Sequence, residues 1–318
     1  SGTLYLNVKN RKWSEPMLNL LGISKSQLPE LYESYEVIGF LKKDLADKLG
    51  LNDNVKVVIG GGDQAVAAIG GGVTGTEACS LSLGTSGVIF VATDDFHVDS
   101  KNSLHSFCHA NGRYHQMGVT LAAAASLKWW AQEVIGSENF DGLLAEAEEA
   151  AIEDSVFYLP YLMGERTPHN DPFCRGVFIG MDMTHQRKHL TRAVLEGVAF
   201  SLRDTFEIMK AMGIRAPIVR INGGGAKSKL WCKIISDVLN VKVEKLNTDE
   251  GPAYGAAILA AVGSGQFATV ESACASFLKV TESIDPDETN VGLYNQKYKK
   301  FREIYPATKE LFRKLTVN

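Results

Sequence analysis

Apolar residues along this chain occur in short runs, and several of the runs end in a glycine-rich turn. The first run covers residues 55–59 and predicts a buried strand that leads into three glycines and then Asp63. Helical spacing of apolar residues follows over residues 64–69. An aspartate at that point is most often a helix N-cap. The other interpretation is a carboxylate held at the edge of a ligand cleft.

A second glycine-rich turn joins two predicted strands, residues 78–83 and 88–92. It contains Gly84, Thr85 and Ser86. Such a turn can direct backbone N–H groups and hydroxyls at a phosphate. An ordinary hairpin turn uses the same residue types, so this pattern alone is weak evidence for a ligand.

A third turn follows a strand predicted over residues 218–221 and precedes a helix predicted over residues 229–239. Gly224 and Gly225 let the backbone approach an anionic ligand at the start of that helix. A dinucleotide-binding fingerprint is excluded, because Ser228 stands where its last glycine would be. A tight connection without a ligand is an equally good interpretation. Together with an acid at a strand end, however, the two turns favour phosphoryl transfer.

The order of elements in the second half of the chain predicts parallel strands joined by helical crossovers. The predicted order is helix 188–212, strand 218–221, helix 229–239, strand 242–246 and helix 254–262. A helix over residues 295–315 follows, with a break or kink expected at Pro306. The glycines near residues 70–73 are the candidate domain boundary, which divides the chain into residues 1–73 and 74–318.

Composition narrows the classes of function. The chain has 318 residues, 45% of them hydrophobic, a net charge of -4 and a pI of about 6.0. This charge argues against a nucleic-acid or anionic-membrane partner. Five scattered cysteines without a C-x-x-C pair predict neither a disulfide framework nor a metal site, and favour a reducing, cytoplasmic location. No apolar run approaches the ~20 residues that span a bilayer.

Longer motifs resemble the FGGY family of carbohydrate kinases. Residues 176–181, then seven residues, then residues 189–196 fit the family's C-terminal signature at every fixed position. Residues 105–110 and 164–170 are similar to those of family members that act on D-xylulose, as are residues 60–64. The resemblance implies an α/β fold of the actin/hexokinase/Hsp70 (ribonuclease H-like) type.

The resemblance also implies roles for individual residues. Asp63 matches the catalytic base. Residues 1–73 would be the end of a sugar-binding domain and residues 74–318 a nucleotide-binding domain. ATP and Mg²⁺ would be the cofactors and a small sugar the partner, with no metal ligand assigned in this chain. The residues implied to contact the nucleotide are Gly84, Thr85, Ser86, Trp129, Gly224, Gly225 and Ser228.

The chain departs from the family pattern at its start, where the acidic strand and first phosphate loop are missing. We therefore expect a piece of a longer kinase, which by itself binds nucleotide weakly and phosphorylates nothing. Residues 4–8 and 55–59 would then lack the sheet partners that a full first domain would provide. Residues 1–73 would be mobile, or paired in a homodimer or with a separate N-terminal polypeptide.

The predicted activity is phosphorylation of D-xylulose to D-xylulose 5-phosphate, with Asp63 deprotonating the 5-hydroxyl. Two alternatives stay open. One is another FGGY kinase, acting on ribulose, gluconate or glycerol. The other is a non-catalytic nucleotide-binding module.

Overall fold

The structure, a computed structural model, describes residues 1–316. The strands are β1 (Leu6–Asn7), β2 (Lys12–Trp13), β3 (Val37–Phe40), β4 (Lys56–Val58), β5 (Cys79–Leu83), β6 (Gly87–Thr93), β7 (His105–Cys108), β8 (Tyr114–Thr120), β9 (Phe157–Leu159), β10 (Val177–Ile179), β11 (Ile218–Asn222), β12 (Lys242–Leu246) and β13 (Val280–Ile284). The helices are α1 (Glu15–Leu21), α2 (Lys43–Leu49), α3 (Asp63–Gly70), α4 (Ala124–Trp129), α5 (Phe140–Glu148), α6 (Arg187–Ala211), α7 (Lys229–Leu239), α8 (Gly251–Gly263), α9 (Val270–Phe277) and α10 (Glu288–Thr316).

The centre of the molecule is a seven-stranded sheet in the order β13-β12-β11-β5-β6-β8-β7. β11 pairs in parallel with both β5 and β12, and the remaining pairs in this sheet are antiparallel. Val219 is opposite Cys79 on one side and Val243 on the other. The prediction of parallel strands is confirmed for β11 and β12. Because parallel strands end at the same edge, the turns after β5 and β11 lie next to each other.

Helices cover both faces of the sheet, as the alternation of buried residues along β6 makes clear. Ile89 and Val91 belong to the main core, to which α6, α7 and α10 contribute. Phe90 and Ala92 pack on the opposite face, against Ala68 of α3. A strand with both faces buried reads as a continuous apolar run, which is why β6 was predictable from sequence.

Glycines let α3 and α8 approach each other closely. A Cβ at Gly255 would lie 1.9 Å from the carbonyl oxygen of Val66. A Cβ at Gly70 would lie 2.1 Å from the carbonyl oxygen of Gly251. Both distances are far below contact, so only glycine fits this crossing. Helix α3, from the first predicted domain, therefore packs directly on α8 from the second.

The early strands pair with one another in two-stranded ribbons, β1 with β2 and β3 with β4. Between β1 and β2, Arg11 donates to the carbonyl oxygen of Gly112 at 2.6 Å, which ties this segment to the β7–β8 hairpin. A strand forms at Lys56–Val58 as predicted, but the prediction that it is buried is wrong, because Lys56 and Val57 are exposed. A two-stranded ribbon covers little surface, so apolar residues in it stay accessible.

Helices α6 and α7 agree with the predicted bounds to within one residue, whereas α8 begins three residues and α10 seven residues earlier than predicted. α10 runs through Pro306 without interruption, so the predicted break is absent. Helix α4 ends at Trp129, and a π-helical turn (Trp130–Ile135) continues it. Within residues 1–316, no helix combines the length and apolar content needed to cross a bilayer.

The α3–α8 crossing yields a stability prediction. Gly255→Ala should lower the free energy of unfolding by about 1–3 kcal/mol, because the added methyl group forces the two helices apart. Gly292→Ala in α10 is the matched control: its Cβ meets open space, so it should stabilise the protein by about 0.5–1 kcal/mol. Urea unfolding of both variants measures the difference. Similar effects of the two substitutions would contradict the close packing of α3 on α8.

Candidate active site

A cavity of about 580 Å³ opens where β5 and β11 end. Thr85 lies in the turn after β5, and Gly224 and Gly225 lie in the turn after β11. Trp129, from α4, lines the same cavity. Three segments that are distant in sequence thus bring four of the predicted nucleotide-contacting residues to one place.

The turn between β5 and β6 is held in shape by hydrogen bonds to the residues that precede α4. The carbonyl oxygen of Thr85 accepts from the Ala123 N–H at 2.9 Å, and that of Gly84 accepts from the Ala124 N–H at 2.8 Å. The Ser86 hydroxyl donates to the carbonyl oxygen of Leu121 at 3.1 Å. The Ser86 hydroxyl therefore stabilises the turn, whereas Thr85 is exposed to the cavity.

The turn after β11 needs glycine for two different reasons. Gly223 has φ +90°, and a Cβ there would lie 2.8 Å from the carbonyl oxygen of Leu83 in β5. A Cβ at Gly225 would lie 2.6 Å from the Leu83 side chain. A Cβ at Gly224, by contrast, would meet open space. Gly223 and Gly225 are thus required by packing, and Gly224 presents bare backbone to the cavity.

Ser228 lies apart from the other residues predicted to contact the nucleotide. Its hydroxyl oxygen accepts from the Trp231 N–H at 3.1 Å and caps the N-terminus of α7. It is not among the residues that line the cavity. An N-cap serine is a common structural device, so this contact accounts for the residue type without a ligand.

Two adjacent tryptophans point to different environments because neighbouring residues on a helix are about 100° apart. Trp130 is 5% exposed and donates its indole N–H to the Thr191 hydroxyl at 2.9 Å. Trp129 is only partly buried and stacks near Tyr158, with ring centroids 6.5 Å apart and an interplanar angle of 15°. Trp129 is therefore the one available to a flat ligand.

Asp63 is the first residue of α3, and Gly62 occupies the N-cap position. The N-cap interpretation of Asp63 is therefore wrong. Its side chain is exposed, and its Oδ1 accepts from the adjacent Gln64 N–H at 2.8 Å. Asp63 lines a second cavity, of about 500 Å³, together with the three glycines that precede it. A carboxylate in this position is accessible to a ligand hydroxyl.

Two buried histidines also line the Asp63 cavity. His109 is 1% exposed and His115 is 3% exposed. A ring nitrogen of His109, Nε2, lies 2.8 Å from the carbonyl oxygen of Val73. Burial lowers the pKa of His109 to about 4 and that of His115 well below its usual range. Both rings are thus neutral at pH 7 and offer hydrogen bonds rather than charge. His109 and His115 are distant from Asp63 in sequence, so no sequence pattern indicated that they share its cavity.

The Asp63 cavity and the Thr85 cavity share no lining residue. The structure therefore gathers the predicted residues into two places rather than one. Among the residues that the structure describes, no three His, Cys, Asp or Glu side chains form a group that could hold a metal ion.

Comparison with known proteins places the chain in a family. The model of the FGGY carbohydrate kinase C-terminal domain matches residues 79–264, and that of the FGGY N-terminal domain matches residues 1–70. The chain belongs to the FGGY family of carbohydrate kinases. It is 40% identical to the xylulose kinase of Bacillus subtilis over 98% of this chain, and 39% identical to that of Escherichia coli over 96%.

Solved structures of the family have the same fold. A xyloylose kinase from Brucella ovis superposes with a TM-score of 0.92 at 35% identity, covering 98% of this chain and 64% of that one. A xylulose kinase and a gluconate kinase, both from Lactobacillus acidophilus, each give 0.94 at 26% identity, covering 99% of this chain and 64% of theirs. The predicted actin/hexokinase-like α/β fold is confirmed. The chain spans about 63% of the length of the curated relatives named above.

The exposed backbone at Gly224 gives a prediction about ligand binding. Gly224→Val should weaken ADP binding by about tenfold or more, because a branched side chain would project into the cavity that the bare backbone now lines. Calorimetric titration with ADP measures this. The control is Gly292→Val, which adds the same side chain in open space on α10. Equal ADP affinity in the two folded variants would contradict the assignment.

Proposed function

We propose that this chain provides the nucleotide-binding part and the general base of an ATP-dependent kinase that converts D-xylulose to D-xylulose 5-phosphate. The observation that carries the proposal is the cavity that gathers Thr85, Trp129, Gly224 and Gly225 from three separate segments. Similarity to xylulose kinases over nearly the whole chain supports the choice of substrate. Because those relatives are longer, this activity is a proposal for the chain.

In the proposed complex, the turn of Gly84, Thr85 and Ser86 receives the phosphates of the nucleotide. Backbone N–H groups and an exposed hydroxyl suit an anionic ligand. Bare backbone at Gly224 and the partly buried ring of Trp129 suit the flat base and its sugar. Gly225 acts by allowing this approach. Ser86 and Ser228 act indirectly, because their side chains stabilise the turn and the start of α7. Thr85 and Gly224 are the residues that would contact the nucleotide.

Asp63 is the proposed general base. Phosphoryl transfer to a hydroxyl needs a nearby acceptor for the proton that the hydroxyl loses. An exposed carboxylate beside three glycines, in a cavity of about 500 Å³, is suited to hold a small sugar by its reacting hydroxyl. ATP supplies the phosphoryl group, and we propose that Mg²⁺ arrives with the phosphates of ATP. The division at residue 73 and a cytoplasmic location also stay proposals.

A gluconate kinase is the second candidate. The solved gluconate kinase from Lactobacillus acidophilus superposes as well as the xylulose kinase from the same organism. Fold similarity therefore does not distinguish the two substrates. The two Lactobacillus proteins are both 26% identical to this chain, and the 40% identical xylulose kinase of Bacillus subtilis supports D-xylulose.

The general-base role predicts a large effect on turnover. Asp63→Asn should lower kcat for sugar-dependent ATP consumption by roughly 10²–10⁴ while leaving ADP affinity nearly unchanged. Asp44→Asn is the matched control, since Asp44 is an exposed aspartate in the first turn of α2. The assay uses this chain as it stands. It also uses the chain joined to the part of the Bacillus subtilis xylulose kinase that the alignment leaves uncovered.

The same assay with D-xylulose, ribulose, gluconate and glycerol distinguishes the substrates. Highest kcat/KM for D-xylulose is expected. Near-normal turnover in Asp63→Asn would contradict the role of Asp63. Preference for gluconate would favour the second candidate, and nucleotide binding without turnover on any sugar in the joined protein would favour a non-catalytic module.

A further inference from the structure

Glu165 is a buried carboxylate that lies outside both cavities. It is 2% exposed and belongs to the connection between β9 and β10. It does not appear among the residues that line the Thr85 cavity. A buried acid is costly unless hydrogen-bond donors surround it, so its partners indicate its purpose.

The Glu165 carboxylate accepts hydrogen bonds from the end of β8. Its Oε1 accepts from the Leu121 N–H at 3.0 Å and from the Arg166 N–H at 2.7 Å. Its Oε2 accepts from the Thr120 hydroxyl at 2.5 Å. The Thr120 oxygen in turn accepts from the Ser201 hydroxyl of α6 at 2.9 Å. Glu165 therefore holds residues 120 and 121 in place through hydrogen bonds to its carboxylate.

Those two residues lead directly into the contacts that shape the phosphate-facing turn. The Leu121 N–H bonds to Glu165, and the Leu121 carbonyl oxygen accepts from the Ser86 hydroxyl. The next residues along, Ala123 and Ala124, donate to the turn's backbone carbonyls. One peptide segment thus connects the buried acid to the turn.

We propose that Glu165 is a positioning residue that sets the shape of the turn formed by Gly84, Thr85 and Ser86, and thereby its affinity for nucleotide phosphates. This rests on the proposed function. Glu165 acts through residues 120–124 and touches neither nucleotide nor sugar.

A carboxylate suits this place because three hydrogen-bond donors point at its two oxygens. An ionised carboxylate only accepts, so it satisfies two N–H groups and one hydroxyl at once. Glutamine has the same shape, yet its amide nitrogen would present N–H groups to the Thr120 hydroxyl. Thr120 would then have to turn its hydroxyl hydrogen away from Glu165. The substitution therefore alters the contact to β8 without leaving a cavity.

The protonation of Glu165 provides a specific signature. Burial, which outweighs the lowering effect of the hydrogen bonds and is aided by the charge of Asp204, raises the pKa of Glu165 to about 7. Tyr161 and Cys174, which also interact electrostatically with Glu165, have raised pKa values and stay neutral near pH 7. Since the folded pKa lies above the unfolded one, stability from this group is lost as pH rises through about 7. Above that pH the charged, accepting form dominates.

The test is ADP affinity of Glu165→Gln against the unsubstituted chain at about pH 6 and about pH 8. Glutamine resembles the protonated acid. We therefore expect affinities within about twofold at the lower pH, and a loss of about tenfold in the variant at the higher pH. Titration of ADP occurs in both proteins and cancels in the ratio. Faster amide exchange at Leu121 in the variant is also expected.

Asp237→Asn is the matched control. Asp237 is 2% exposed and accepts from Lys233, Asn290 and the Asp287 N–H, which ties α7 to α10 away from the turn. Its substitution should lower stability and leave the pH dependence of ADP affinity unchanged. If Glu165→Gln does not fold, Thr120→Val carries the same test, because it removes the hydroxyl donor from Oε2.

Equal ADP affinity of Glu165→Gln and the unsubstituted chain at both pH values would overturn the proposal. So would a loss of the same size at both pH values, which would indicate general damage. If the unsubstituted chain binds no ADP while amide exchange at Leu121 still responds to the substitution, the proposed function fails. Glu165 then shapes the turn alone, and the part of this proposal that concerns phosphates is overturned.

Discussion

The parallel pairing of β5 and β11 is the constraint on which the candidate site depends. Because both strands end at the same edge, the turns that follow them must share one small volume. Gly223 makes this possible: with φ +90° it passes so close to the carbonyl oxygen of Leu83 that a Cβ would lie 2.8 Å away. The two turns thereby contact each other through backbone. Thr85 and Gly224 face the same cavity as a result.

Neighbouring segments stabilise the β5–β6 turn through hydrogen bonds. A second cavity lies beside α3. Residues 120–124 hold the β5–β6 turn, and Glu165 holds those residues in turn. On the other face of the sheet, Gly70 and Gly255 let α8 fix the helix that begins with Asp63. Closely packed backbone thus holds the β5–β6 turn and α3, the elements that carry Thr85 and Asp63, which suits groups that must be placed accurately to bind phosphate or accept a proton.

Local sequence patterns predicted the elements that are buried on both faces, and those whose ends are marked by capping or turn residues. The bounds of α7 and β12 agree with prediction, and Thr85, Trp129 and Gly224 do converge. The sequence misled where burial depends on distant partners: Val57 of β4 is apolar yet exposed, because the strand belongs to a two-stranded ribbon. The contacts of Glu165 join residues some 44 positions apart, so no periodicity or motif spacing could reveal them. A serine such as Ser228 can either contact a ligand or cap a helix. Only its position in the structure shows that it caps α7.

A structure of this chain with ADP tests the central claim most directly. The account predicts the diphosphate against the turn of Gly84, Thr85 and Ser86, with the adenosine between Trp129 and the backbone of Gly224. ADP bound in the cavity of Asp63, or at any site away from the shared edge of β5 and β11, would contradict the account.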